Sequence, residues 1–276
     1  MENKIVFISF ANSEYSKTIE RLQKQLSDCE NTPFTEYHFF SEKDLDKEFL
    51  KKLKPWLYRR GYGYWRWKSY LVEKTFNTLA DGDILVYADA GCDFNSNAIN
   101  RLQEYFQIVQ KSTSGILAFS DKQIEYQYCK SDTAAFFNIL QNSDIMNTNQ
   151  MWAGFFILQK KDTSNLFVQT WKDICITQPQ LITDKVSKIP NHKNFIEHRH
   201  DQTIFSILAK QMNAVILPPC EISKDNFINI PFIPARNKEK NKMIQIKRLC
   251  LLPWRYTLGY YLKKIKHFYF YNRTAW

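Results

Sequence analysis

The chain has 276 residues, enough to bury the core of one large domain, and a hydrophobic fraction of 44% with only 7 Gly and 9 Pro excludes disordered, collagen-like and low-complexity classes. The formal net charge of +10 suggests nucleic acid only until it is located: residues 240–276 carry +9 of it with no Asp or Glu, which leaves +1 for residues 1–239. A nearly neutral body with a basic tail argues against a surface coated for nucleic acid.

Ile5–Phe10 reads as a first buried strand, and Phe10, Ala11, Asn12 and Ser13 as the loop leaving it. Tyr15, Ile19, Leu22 and Leu26 then fall at helical spacing. Thr35–Phe40 is a second strand, and residues 44–53 are a charged helix stopped by Pro55. The next stretch, Arg59-Arg60-Gly61-Tyr62-Gly63-Tyr64-Trp65-Arg66-Trp67-Lys68, packs four aromatics and four cations into ten residues. Its two glycines place it as a loop before a helix over 70–79. Such a loop offers aromatic faces for a base or sugar and cations for phosphates, although a surface loop that merely supports the sheet also fits.

Ile84, Leu85, Val86 and Tyr87 form an apolar run that suits a strand buried on both faces, and Asp89-Ala90-Gly91-Cys92-Asp93 follows it directly. A carboxylate at the C-terminal end of such a strand lies where open α/β sheets keep ligands, and Gly91 permits close approach of a bound group. An ordinary strand-to-loop turn is the bland alternative. Helical spacing continues over 98–109, a strand over 115–119, and residues 120–150 stay unassigned. Trp152-Ala153-Gly154 leads into another strand, a helix covers 166–176, and residues 177–199 form a long loop of the kind that is often functional. The loop closes on Glu197-His198-Arg199-His200-Asp201-Gln202, just ahead of an apolar helix built on Ile204, Phe205, Ile207 and Leu208. A titratable cluster at a helix start can bind anions, ligate metal or contact a hydroxyl; Asp201 also fits a plain first-turn acid. Residues 215–217 are a last strand.

The tail from 238 on combines Leu258, Tyr261, Leu262, Ile265 and Phe268 at helical spacing with Lys263, Lys264 and Lys266, which suits either an anionic membrane surface or packing on the protein's own core. The expected organisation is therefore a catalytic domain over 1–237 and a membrane-associating segment over 238–276. Six scattered cysteines without a Cys-x-x-Cys pair indicate free thiols in a reducing compartment. The N-terminus does not read as a signal peptide and no run approaches about 18 apolar residues, so the expected location is cytoplasmic, peripheral on the inner face of the cell membrane.

The Gly61–Lys68 stretch, the Asp83–Asp93 stretch, Trp152-Ala153-Gly154-Phe155-Phe156 and His198-Arg199-His200-Asp201-Gln202, in this order, resemble bacterial GT-A-type glycosyltransferases of surface-polysaccharide and lipopolysaccharide assembly. The resemblance covers about residues 1–220. It implies an α/β fold of Rossmann-like type with a mixed, mainly parallel sheet, a nucleotide-sugar donor such as a UDP-sugar, a saccharide or lipid-linked acceptor, and Mn²⁺ or Mg²⁺ on the donor diphosphate. Carried onto this chain, it assigns metal to Asp89, Asp93 and His198, with His200 as the alternative third ligand, the diphosphate to Arg60 and Lys68, and the nucleoside to Phe10, Ala11 and Asn12. Trp65, Ala90 and Gly91 join the donor site, Trp152 and Gly154 face the acceptor, and Asp201, His200 and Gln202 carry the chemistry. The Asp201-Gln202 pair resembles retaining enzymes; Asp201 is the base if the configuration inverts. The chain departs from the pattern at Gly91, where a second acid is expected, and at Ser69, where Pro is expected. A sugar-phosphate nucleotidyltransferase would want a Gly-rich phosphate loop after the first strand, which Phe10-Ala11-Asn12-Ser13 is not. A non-enzymatic membrane or nucleotide-binding module would leave the Asp89 and His198–Gln202 clusters without a purpose.

Overall fold

A computed structural model of the chain describes residues 3–239, so the expected membrane helix of the tail lies outside the described residues. The first half alternates strands and helices: β1 (Ile5–Phe10), α1 (Ser16–Ser27), β2 (Glu36–Phe40), α2 (Lys47–Leu53), α3 (Gly61–Tyr64), α4 (Arg66–Phe76), β3 (Ile84–Ala88), β4 (Asp93–Phe94) and α5 (Ile99–Lys111). The second half runs β5 (Ile116–Ile124), α6 (Glu125–Tyr128), α7 (Ser131–Phe136), α8 (Ser143–Met146), β6 (Asn149–Met151), β7 (Phe155–Gln159), α9 (Asp162–Thr177), α10 (Asp201–Gln211), β8 (Val215–Leu217) and β9 (Phe232–Ile233). The stretch 120–150, too polar to assign from periodicity, is the far end of β5, three short helices and β6.

The main sheet has the order β2-β1-β3-β7-β5-β6, with β8 also on β5. β1, β2, β3, β5 and β8 run one way and β7 and β6 the other, so the sheet is mixed and mainly parallel. Period-2 alternation divides the core. Val6, Ile8, Phe10, Leu85 and Tyr87 pack on the face covered by α2, α4, α9 and α10, whereas Phe7, Ile84, Val86 and Ala88 pack on the face covered by α1 and α5. Both faces being covered explains why Ile84–Ala88 is apolar throughout. The one polar residue inside β1, Ser9, is satisfied by donating its hydroxyl to the Ala88 carbonyl at 2.7 Å.

The Gly61–Trp65 stretch is neither a loose loop nor a right-handed helix. Gly61, Tyr62, Gly63, Tyr64 and Trp65 all have positive φ, between 53° and 96°, which makes a single left-handed turn. A left-handed residue with a side chain costs about 1–2 kcal/mol, so the surroundings must hold the turn in place. Arg66, 1% exposed, donates Nε to the Gly63 carbonyl at 3.0 Å and its guanidinium to the Leu53 carbonyl; Trp67 Nε1 donates to the Gly61 carbonyl at 3.0 Å. Both glycines are required by space as well as by φ: a Cβ on Gly61 would lie 2.3 Å from the Trp65 ring, and one on Gly63 would lie 2.5 Å from Leu53. Helix α4 therefore starts at Arg66, earlier than the expected 70, because the left-handed turn ends there.

Candidate active site

The C-terminal ends of β1 and β3 open onto a cleft of about 1490 Å³. Phe10, Ala11, Asn12, Arg60, Trp65, Lys68, Asp89, Ala90, Gly91, Trp152, Gly154, His200, Asp201 and Gln202 all line it. Asp93 and His198 do not.

At the centre lies a buried ionic triad. Lys68 Nζ, on a residue 3% exposed, is 3.1 Å from Asp89 Oδ1 and 3.6 Å from Asp201 Oδ2, and it donates to the Ala153 carbonyl at 2.8 Å. An ammonium has three N–H donors, and three protein acceptors surround it. Burial alone would lower the Lys68 pKa, but the two carboxylates more than offset it and hold the ammonium charged. Asp89 is fixed further by the Tyr87 hydroxyl, which donates to Oδ1 at 2.6 Å, and by its own N–H on the Gly154 carbonyl at 2.8 Å. Burial, with help from Asp89, pushes the Tyr87 hydroxyl well above its ordinary value, so it stays a donor. Asp201, at the start of α10, is pushed up to about 7 by burial, against the pull of Lys68.

The wall opposite is built by the left-handed turn and the 182–200 segment. His200 stacks on Trp65 with ring centroids 5.6 Å apart, and its Nδ1 lies 2.6 Å from the Ile182 carbonyl. A carbonyl only accepts, so Nδ1 carries the proton and Nε2 is left as an acceptor. Burial holds the imidazole down at about 4, hence neutral. His200 has φ 59° and ψ −125°, a strained conformation for a side-chain-bearing residue, directly before Asp201. Asp184 clamps the wall: Arg60 Nη1 donates to it at 2.9 Å and the Tyr64 hydroxyl at 2.7 Å. Burial and then Asp184 push the Tyr64 hydroxyl up to about 12. Gln202 donates to Gln150 Oε1 at 3.0 Å, and Gln150 in turn donates to the buried Glu125, which Lys210 neutralises at 2.6 Å. Trp152 folds over Gly154, where a Cβ would lie 2.3 Å from the indole.

On this side Arg199 Nε and His200 Nε2 are buried without a hydrogen-bond partner, and Asp201 Oδ2 makes no hydrogen bond either, having only the Lys68 ammonium at 3.6 Å. All three residues line one cleft; His200 Nε2 and Asp201 Oδ2 are acceptors that match hydroxyl donors brought by a ligand, and Arg199 Nε is a donor.

The three metal ligands expected from the sequence do not converge. Asp93 accepts from the Arg21 guanidinium, from Gln25 at 3.1 Å and from Asn237 at 3.0 and 2.9 Å. His198 is buried away from the cleft with Nε2 2.8 Å from the Leu181 carbonyl and Nδ1 accepting the Lys130 N–H at 3.4 Å; burial holds it neutral. Among the described residues no group of three His, Cys, Asp or Glu side chains is placed to hold a metal ion. Asp89 remains, with the Lys68 ammonium already against it. These residues do not fit a divalent site built by the protein. Lys68, expected on the diphosphate, is enclosed by its own three partners instead.

Several contributors lie outside the motifs. Tyr87 is legible by period, two positions before Asp89 on the same face of β3. Asp184, Arg236 and Lys238 reach the cleft only through long-range packing. Among the described residues no helix is long and apolar enough to cross a membrane.

No protein-family model matches the chain, and no curated protein matches it in sequence. Solved structures match in fold. The WbbM bifunctional glycosyltransferase, in its apo form, is 9% identical with a TM-score of 0.50 over 87% of this chain, which spans 47% of that protein's length. The galactosyltransferase LgtC in complex with donor and acceptor sugar analogues is 12% identical, with a TM-score of 0.41 over 79% of this chain and 74% of that one. A glycosyltransferase involved in glycosylation of the major capsid of PBCV-1 is 8% identical, with a TM-score of 0.42 over 83% of this chain and 92% of that one. At these identities the likeness is one of fold: the chain is built as an α/β protein similar in fold to a glycosyltransferase.

Proposed function

We propose that the cleft transfers a sugar from a nucleoside-diphosphate donor to a saccharide or lipid-linked acceptor. The observation that carries this is a pair of buried acceptors that make no hydrogen bond, His200 Nε2 and Asp201 Oδ2, on residues that line one cleft with Asp89; Asp201 Oδ2 has only the Lys68 ammonium at 3.6 Å. A sugar is the ligand class that presents several hydroxyl donors beside aromatic faces, and Trp65 and Trp152 line the same cleft. The fold shared with WbbM supports the reading.

In this reading Phe10, Ala11 and Asn12 hold the nucleoside at the end of β1, and Trp152 gives the acceptor sugar an apolar face, for which Gly154 leaves room. Asp89, fixed by Tyr87 and Lys68, positions the donor sugar through its hydroxyls. Asp201 receives an acceptor hydroxyl. Its pKa of about 7 lies in the range of a general base, so it removes the proton from the attacking oxygen if the transfer inverts; if the transfer retains, it orients the same hydroxyl without taking its proton. Arg60 closes the wall through Asp184 and keeps the left-handed turn against the donor. The pathway expected from the resemblance is assembly of cell-surface polysaccharide.

The test is a panel of UDP-, GDP- and CMP-sugars incubated with saccharide and lipid-linked acceptors, products being read by mass spectrometry and anomeric configuration by NMR. Transfer or donor hydrolysis that falls by about 10²-fold or more in Asp201→Asn supports the reading. Absence of turnover with every donor, or full turnover in the variant, refutes it.

A further inference from the structure

The charge on the cleft is not where a metal-bound diphosphate would need it. Lys68 is enclosed, Arg60 is paired with Asp184 at 2.9 Å, and Arg199 is paired with Glu197 at 3.1 Å, while Arg59 lines the cleft beside Arg60 as an exposed cation. Asp89 and Asp201 share the Lys68 ammonium, and among the described residues no group of three His, Cys, Asp or Glu is placed to hold a metal ion. A donor diphosphate brings about two negative charges, and a cleft that met it with Asp89 and Asp201 alone would repel it.

Two further cations, beside the Asp89-Ala90-Gly91 turn, lie on a segment with no motif of its own. After β9 the chain passes back across the Asp89-Ala90-Gly91 turn as a strap, and Arg236 and Lys238 line the cleft there. Neither has an ion-pair or hydrogen-bond partner for its side chain among the described residues. The strap is pinned. The Asn237 N–H donates to the Gly91 carbonyl at 3.1 Å, and its side-chain amide donates to both oxygens of Asp93. Arg21 ties the other side, reaching Asp93 and donating to the carbonyls of Ala90 at 2.9 Å and Cys92 at 2.8 Å. The crossing is close, since a Cβ on Gly91 would lie 3.4 Å from the Asn237 carbonyl oxygen and 3.7 Å from Arg236 Cα. Arg236 itself is held at φ 55°, a left-handed conformation that an unanchored arginine would leave. Asp93, expected as a metal ligand, thus acts as the clasp that holds two cations over the turn.

We propose, resting on the donor reading above, that this cleft binds a nucleoside diphosphate without a divalent ion, through Arg236 and Lys238 of the strap, with Lys68 as the permanent cation between Asp89 and Asp201. Arginine suits the role because its planar fork matches two phosphate oxygens at once.

The experiment titrates the full chain with UDP and with GDP by calorimetry, once in EDTA and once in Mg²⁺. The expected result is binding in EDTA with a Kd within about threefold of that in Mg²⁺, weakening as salt rises. Arg236→Gln with Lys238→Gln should raise the Kd in EDTA about tenfold or more, since a charge-assisted hydrogen bond contributes on the order of a factor of ten in affinity, while the unfolding temperature of the free protein stays put. Lys238→Gln alone, which leaves the clasp intact, should raise it by a smaller factor and guards against a loosened strap. Binding confined to the Mg²⁺ buffer, or unchanged affinity in both variants, overturns this inference and leaves the donor reading standing. No binding in either buffer overturns both.

Discussion

Lys68→Met removes the ammonium at the centre of the site and keeps most of the side-chain volume. The ammonium lies 3.1 Å from Asp89 Oδ1 and 3.6 Å from Asp201 Oδ2. At an effective dielectric of 20 each attraction is roughly 5 kcal/mol, and the cost of keeping an ammonium out of water cancels much of it, so the net loss on breaking the arrangement is about 3–5 kcal/mol. The loss depends on pH in a fixed direction. Asp201 already titrates at about 7 with Lys68 present, and without it the folded pKa rises further, above the unfolded value of about 4. A carboxyl whose folded pKa is raised binds more protons folded than unfolded between those two values, so its contribution falls as pH rises through the window. The variant should therefore be about 3–5 kcal/mol less stable than the parent at pH 8 and lose roughly half of that deficit at pH 5, where Asp201 is protonated. Urea unfolding of both proteins at the two pH values measures it. An equal deficit at pH 5 and pH 8 would mean that Lys68 acts by packing alone, and the ionic argument fails.

The other expectations follow from single contacts. Gly63→Ala forces a Cβ to within 2.5 Å of Leu53 at φ 96°, and should cost about 2–5 kcal/mol by urea unfolding; a loss under about 0.5 kcal/mol would show that the left-handed turn is not as tight as described. His200 is held down at about 4, so its neutral form contributes stability that is present above the unfolded value of about 6.5 and lost as pH falls towards 4; His200→Gln should remove about 3 kcal/mol of that acid-side slope, and an unaltered slope refutes it. Trp152→Ala should raise the KM for acceptor several-fold and leave donor hydrolysis unchanged, with the opposite split counting against an acceptor role. If Asp201 is the base, kcat/KM should rise with pH and level off above about 7, because only the ionised carboxylate takes a proton; a profile flat from pH 5 to 9 excludes that role.

What the sequence made legible was what local physics decides. Ile84–Tyr87 is a strand because four consecutive apolar residues need cover on both faces, and the helices of α1, α5 and α9 follow their apolar spacing. The residues chosen for the donor and acceptor line one cleft because strand ends and loop closures in an α/β sheet gather on one side. Two kinds of information were out of reach. Handedness was one: Gly61 and Gly63 signal unusual backbone, but nothing local says that Tyr62, Tyr64 and Trp65 join them at positive φ, since that depends on Arg66 reaching the Leu53 and Gly63 carbonyls. Pairing was the other. Asp93 stands four residues after Asp89 and reads as a second acid of the same site, yet Arg21 and Asn237, from opposite ends of the chain, claim it.

Most of the left-handed backbone at side-chain-bearing residues among those described borders the cleft. The left-handed turn, His200 at φ 59°, Arg236 at φ 55° and the Lys68 triad all border it, although each carries a cost that an apolar replacement would avoid. The rest of the fold offsets that cost with a sheet covered on both faces. Such a distribution makes sense for a site whose groups must already be oriented when charge develops. A carboxylate held by Tyr87 and Lys68 cannot reorganise as a flexible one in water would, and an imidazole stacked on Trp65 keeps its acceptor nitrogen at a fixed place. The functional share of that cost is measurable. Removing the strain at Gly61–Trp65 without altering a side chain that touches ligand should stabilise the fold and slow the chemistry together, whereas strain that served only packing would give stability with no loss of rate.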